Sequence, residues 1–304
     1  MKRIIILSIL LLLLIASGCH TSQADPTVEQ IPAQPVTESI TESITEEEPP
    51  EQDPTEEPVA PAGEPPAETV PHQPEAVTAD SKSWYLKPNL EHQPPQIDGS
   101  VQNMADEGVF YYALPQNAPQ VYLTFDEGYE LGYTGQILDI LKEHQVPAVF
   151  FITGHYLTSQ PDLVKRMVAE GHQVANHTYN HPNLSQVSKE RFQNEVSQLE
   201  QEFTALTGSA MAPFLRPPAG NYSTASLQWA KELNYTTVFW SLAFHDWDPN
   251  NQPGADYSYQ YVIDHIHPGA IILLHAVSES NTQALPQIIE DVRAAGYVFA
   301  PLPQ

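Results

Sequence analysis

Seven short apolar runs constrain this chain more than any other feature of its sequence. They lie at Val121–Phe125, Ala148–Thr153, Gln173–Asn176, Phe214–Arg216, Thr236–Ser241, Ala270–His275 and Tyr297–Pro301. Each is short and rich in branched and aromatic residues, so each reads as a strand. Helical patterns lie between several of them. From Ser188 to Thr207, Phe192, Val196, Leu199, Phe203 and Leu206 recur at helical spacing, with Ser188 as N-cap and Gly208 as stop. A second helix is expected from Pro161, which suits a first turn, to Gly171, and a third from Thr282 to Gly296. Alternating strand and helix implies an α/β fold with a mostly parallel sheet or barrel, whose function sits at the C-terminal strand ends.

Composition restricts that fold to residues 81–304. Residues 20–80 hold 15 Asp/Glu, no Lys or Arg, and 12 prolines. Such sequence blocks helix and sheet, repels itself and has little to bury, so it is expected to be a disordered tether. Stretched out, about 60 residues at ~3.1 Å each reach on the order of 190 Å. Ahead of it, Lys2 and Arg3 precede the apolar run Ile4–Ile15. That is the order of an export signal, short of the ~20 residues that span a bilayer. Ala16-Ser17-Gly18 before Cys19 resembles a bacterial lipobox, which implies lipidation of Cys19 and attachment to the outer face of the cell membrane. The expected organisation is a lipoprotein signal at 1–18, an acidic linker at 19–80, an N-terminal arm at 81–118 and a catalytic domain at 119–304. A net charge of −26 argues against nucleic acid as a partner. Cys19 is the only cysteine, which excludes an internal disulfide and a cysteine-based zinc cluster. A monomer is expected.

Polar residues end five of the strands. The first run leads into Thr124-Phe125-Asp126-Glu127-Gly128, and the third into His177-Thr178-Tyr179-Asn180-His181. The fourth leads into Arg216-Pro217-Pro218-Ala219-Gly220. The fifth is followed by Asp246-Trp247, and the sixth ends Leu273-Leu274-His275. These five segments, in this order, resemble the motifs of the polysaccharide deacetylases, the NodB-homology carbohydrate esterases. Within that family the chain looks most like the peptidoglycan N-acetylmuramic acid deacetylases, which form muramic delta-lactam. That likeness rests on Gly128-Tyr129-Glu130-Leu131-Gly132-Tyr133-Thr134, Phe239-Trp240-Ser241-Leu242-Ala243-Phe244 and His267-Pro268-Gly269-Ala270-Ile271. Ala243, where many members carry another Asp, points the same way, and Trp84 with Pro94-Pro95 looks like that subgroup's N-terminal arm.

The resemblance implies a distorted (β/α) barrel and metal-assisted amide hydrolysis of peptidoglycan amino sugars. His177 and His181 would hold a divalent cation, with zinc the expected ion. Asp126, oriented by Arg216, would be the base, and His275, supported by Asp246, the acid. Trp247, Leu273, Pro217 and Tyr179 would line the substrate site. The family's third ligand is a second Asp in the first motif; here it is Glu127, whose extra methylene moves the carboxylate by about 1.5 Å. Muramic-type relatives commonly carry Asn there, yet Glu127 is kept as a third ligand.

Each element has a plainer reading. A histidine pair four apart is often a feature of a turn, Asp126–Arg216 could be a structural ion pair, and His275 could satisfy a core hydrogen bond. His155, His172, His245, His265 and His267 read as structural or pocket-lining. A glycosidase would need two carboxyls on one face, whereas adjacent Asp126 and Glu127 point to opposite faces of a strand. An N-acetylglucosamine or chitooligosaccharide deacetylase, or a silent wall-binding lipoprotein, remain the alternatives.

Overall fold

The computed structural model describes residues 80–115 and 118–304. The export signal, Cys19 and the linker up to residue 79 lie outside the described residues. Among the described residues no helix is long and apolar enough to cross a membrane.

The arm comprises three two-residue strands, β1 (Lys82–Ser83), β2 (Leu86–Lys87) and β3 (Gln96–Ile97), then helix α1 (Gln102–Asp106) and strand β4 (Phe110–Tyr111). There follow β5 (Gln120–Glu127), α2 (Thr134–Glu143), β6 (Ala148–Ile152), α3 (Gly154–Ser159), α4 (Pro161–Ala169) and β7 (Gln173–Asn176). The chain continues through α5 (Lys189–Thr207), β8 (Phe214–Leu215), β9 (Asn221–Tyr222), α6 (Thr224–Glu232) and β10 (Thr236–Val238). It ends with α7 (Ala255–His265), β11 (Ile271–His275), α8 (Glu279–Ala294) and β12 (Val298–Phe299).

The main sheet runs β11-β5-β6-β7-β8-β10-β4, with every pair parallel, and β12 pairs with the start of β5. Past β10 the chain crosses to β11: Leu242 bridges Ile272 in parallel, and Leu273 N donates to Leu242 O at 2.9 Å. The sheet therefore curls into the distorted barrel that the resemblance implies. The strand expected over Thr236–Ser241 stops at Val238, because Ser241 N turns to Ile271 O and leaves the β8 edge. Within the arm, β4 pairs with β10 and so belongs to the sheet.

Alternation along β5 decides what each residue can do. Tyr122 packs inside the barrel with Val149, Phe151, Phe214 and Ile271. Leu123 and Phe125 face outward, against Phe150, Ile272 and helix residues such as Ile137, Leu141 and Ile288. With a period of two, Thr124 and Asp126 join the inner face and Glu127 the outer one. On β11, Leu274 packs outward while His275 stands in register with Asp126. Two chemically active side chains thus come together at the barrel mouth.

Helix α5 forms as its spacing predicts, with Ser188 Oγ accepting from Arg191 N at 3.1 Å and Gly208 at φ +70 closing the end. Helix α8 begins at Glu279, three residues before the expected start, because Ser278 caps Asn281 N. Apolar spacing did not mark α2, α3, α6 or α7. In the arm, Trp84 stacks on Phe239 at 4.4 Å and donates through Nε1 to Trp240 O at 3.0 Å. Gly220, at φ +67, allows this approach; a Cβ there would lie 2.9 Å from that of Trp84.

Candidate active site

Asp126 and Arg216 form a buried pair at the centre of the barrel. Arg216 is fully buried, and its Nη1 donates to Asp126 Oδ1 at 2.7 Å. Nη2 reaches Thr124 Oγ1 at 2.9 Å, Nε reaches Val238 O at 3.2 Å, and Cζ sits 4.0 Å from the centre of the Phe151 ring. Burial alone would raise the Asp126 pKa, but Arg216, His177 and His275 outweigh it and hold the carboxyl below its ordinary value. It is thus an ionised carboxylate lining the groove at neutral pH, the state a general base requires.

The two histidines stand on a strained turn after β7. Thr178 and His181 have φ of +67 and +57, conformations that non-glycine residues adopt rarely. Buried Glu195 on α5 holds the turn: its Oε2 accepts from Asn180 N at 2.6 Å and its Oε1 from Asn180 Nδ2 at 2.9 Å. In the sequence Glu195 reads only as one polar residue of an amphipathic helix, with nothing to mark its role at this turn. His177 Nδ1 is 2.9 Å from Arg216 O, a carbonyl that can only accept, so Nδ1 carries the proton and Nε2 keeps its lone pair. Burial pushes the pKa of His177 down to about 4, so the ring is neutral near pH 7. Nε2 lies 3.6 Å from Asp126 Oδ2, and the His181 ring is 4.9 Å away, centre to centre.

His275 completes the mouth. Its Nδ1 is 2.7 Å from Asp246 Oδ1, and its backbone N donates to Asp246 Oδ2 at 2.9 Å. Burial opposes the imidazolium, but the Asp246 charge and hydrogen bond prevail, and the pKa of His275 lies above its usual value. Asn281 Nδ2 donates to the same Oδ2 at 2.5 Å. Sequence reasoning missed Asn281 because it lies in the first turn of α8, ahead of the apolar spacing.

Asp126, His177, His181 and His275 line a groove of about 930 Å³, together with Tyr179, Trp247 and Leu273. The Tyr179 ring packs over Gly154, where a Cβ would come within 2.5 Å of it, and its hydroxyl donates to Glu202 at 3.0 Å. Two assignments need correction. Pro217 is buried and does not line the groove; it starts the turn that presents Ala219, which does. Glu127 is fully buried on the outer face of β5, away from both histidines. Its Oε2 accepts from Thr134 Oγ1 at 3.4 Å, and its Oε1 has no hydrogen-bond partner among the described residues. Burial, then Glu130, raise its pKa well above the ordinary carboxyl value, so it favours the protonated form.

The divalent cation implied by the motifs is therefore only partly provided for. Two neutral imidazoles open to the groove suit zinc. Among the described residues, however, no group of three or more His, Cys, Asp or Glu is arranged to hold a metal. Glu127→Gln is accordingly expected to leave metal affinity unchanged and His177→Ala to abolish it, as read by calorimetric zinc titration. The sign for stability also follows. A carboxyl whose folded pKa is raised loses stability as pH climbs from its unfolded value through the folded one. Glu127→Gln should therefore raise the melting temperature at pH 8 more than at pH 4.

Comparison with known proteins agrees with this geometry. The family model described as polysaccharide deacetylase matches residues 113–238, which include Asp126, His177, His181 and Arg216. The chain is 42% identical over 227 residues to the peptidoglycan-N-acetylmuramic acid deacetylase PdaA of Bacillus subtilis, covering 75% of this chain and 86% of that protein. A peptidoglycan-N-acetylglucosamine deacetylase of Bacillus cereus is 37% identical over 226 residues, covering 72% and 81%. The solved structure of Bacillus subtilis PdaA, described as a family 4 carbohydrate esterase, superposes with a TM-score of 0.71 at 41% identity, covering 73% of this chain and 95% of that one. With this family match, a superposable fold and this extent of identity, the chain belongs to the polysaccharide deacetylase family.

Proposed function

We propose that this protein hydrolyses the N-acetyl group of amino sugars in peptidoglycan, with N-acetylmuramic acid as its target. One observation carries the reading: the Asp126–Arg216 and His275–Asp246 pairs meet in register on adjacent strands, beside two neutral imidazoles. A divalent cation, zinc by the donor chemistry, would be held by His177 and His181 and would polarise the acetamido carbonyl. Asp126 takes a proton from water, whose oxygen bonds to the carbonyl carbon. As the C–N bond breaks, His275 gives its Nε2 proton to the departing nitrogen, while Asp246 holds Nδ1–H. The products are acetate and a free amino sugar. On muramic acid the freed amine lies near the lactyl carboxyl and closes a lactam once the stem peptide has been removed.

The muramic target is supported by the relative's name and by the subgroup segments around Tyr129 and Phe239. Mass spectrometry of muropeptides after digestion with the full chain tests it. Acetyl loss from muramic acid is expected; loss from glucosamine alone would transfer the activity to the other sugar, and no loss from either would sink the reading.

Wall glycan as substrate places the reaction outside the cytoplasm, and the segment before Cys19 supports a lipid anchor on the membrane's outer face. Cys19→Ala should then abolish lipid labelling of the protein; unchanged labelling on fractionation would remove the anchor. The acid also has a pH signature. Because Asp246 raises the pKa of His275, the protonated acid persists to higher pH than an ordinary imidazole would. Asp246→Asn should move the alkaline limb of the kcat/KM profile to lower pH, and an unmoved limb would take His275 out of the acid role.

A further inference from the structure

Two aromatic pairs flank the groove, Trp247 with His245 and Tyr129 with His155. Trp247, 55% exposed, stacks on His245 at 4.4 Å and 13° on the loop after β10. Above the ends of β5 and β6, Tyr129 is 68% exposed and leans on His155, with ring centres 5.1 Å apart at 54°. Tyr129, His155 and Trp247 all line the groove. An open aromatic at the rim of a groove offers a ligand a flat apolar face with a polar tip.

The loop that carries Tyr129 is pinned from below. Glu130 accepts from the backbone N–H of Gly132, from Thr134 N at 3.4 Å and from the hydroxyl of fully buried Tyr156 at 3.2 Å. Three donors on one carboxylate hold the backbone beside Tyr129, while its ring rests on His155 and is otherwise open to solvent. An aromatic presented on a fixed backbone loses little conformational entropy when a ligand covers it. The groove also lies at the top of the ~300–1,000 Å³ range of single-ligand pockets, which leaves room beyond one sugar ring.

Resting on the glycan reading above, we infer that Tyr129, backed by His155, is a stacking platform for the sugar next to the one being deacetylated. The enzyme would then select chains of several sugars over an isolated disaccharide. The chemistry fits: the C–H face of a pyranose is apolar and flat, while its hydroxyls stay in water at an open rim.

The test compares the native protein with Tyr129→Ala and Tyr129→Phe on glycan chains of four or more disaccharides and on a single disaccharide. Tyr129→Ala should lower the ratio of kcat/KM between long and short substrates by about tenfold, the loss of one aromatic anchor. Tyr129→Phe keeps the ring face and should stay near the native ratio. An unchanged ratio in Tyr129→Ala would overturn the inference, as would a Tyr129→Phe loss as large as that of Tyr129→Ala, which would mean a hydroxyl contact. Circular dichroism melting of each variant guards against misfolding. A second arm measures sedimentation with insoluble wall glycan in the Asp126→Asn background, where no turnover intervenes. There Tyr129→Ala should weaken binding about tenfold. If the native protein released no acetate from any amino sugar, the functional reading would fail while this binding comparison still decided the role of Tyr129.

Discussion

Asp126→Asn is expected to lower acetate release by roughly 10²–10⁴-fold, the usual worth of a positioned general base. The amide keeps the size of the carboxylate and can still accept from Arg216, but it cannot take a proton from water. The loss should appear in kcat/KM per folded molecule, measured with acetate coupled to an enzymatic readout and the folded fraction taken from circular dichroism. Near-native release from a folded variant would show that Asp126 only holds Arg216 in place.

Arg216→Met carries the largest expected effect on stability. Asp126 is 8% exposed and Arg216 fully buried, so solvent cannot replace the lost partner. Removing one member of a buried pair typically costs about 3–5 kcal/mol. Urea unfolding at pH 7 should register that loss. The double variant Asp126→Asn/Arg216→Met should recover part of it, because the stranded charge is gone. The sign with pH is also set. The native Asp126 pKa is lowered, so its stabilisation is present above the unfolded value and disappears as pH falls through the folded one. Arg216→Met should therefore lose less stability on acidification than the native protein. Additive single losses would show that the two groups act independently and would weaken the account of Arg216 as the group that keeps Asp126 ionised.

Much of the site was legible because its chemistry sits at strand ends, and strand ends are easy to read. An apolar run that stops at Asp126, Asn176 or His275 marks both the strand and the residue at the barrel mouth. Glu127 was legible too, in principle: strand alternation alone turns it away from Asp126, and motif resemblance argued otherwise. Glu195 and Asn281 could not be read in this way. Each is one polar residue on a helix, and its value comes from a turn 15 residues away or an aspartate 35 residues away.

The sequence by itself determined the alternating α/β architecture and the inner or outer face of each strand position, because these follow from local periodicity of two or about 3.6 residues, and it set the order of the candidate site residues along the chain. Tertiary structure alone decided which ends become neighbours. The crossing of Leu242 to Ile272 and the Asp126–His275 register bring together groups separated by up to 149 positions in the chain. It also decided protonation. Asp126 and Glu127 are adjacent carboxyls, yet one meets a buried guanidinium and the other a dry helix face, and only the folded chain supplies that difference in solvation and charge.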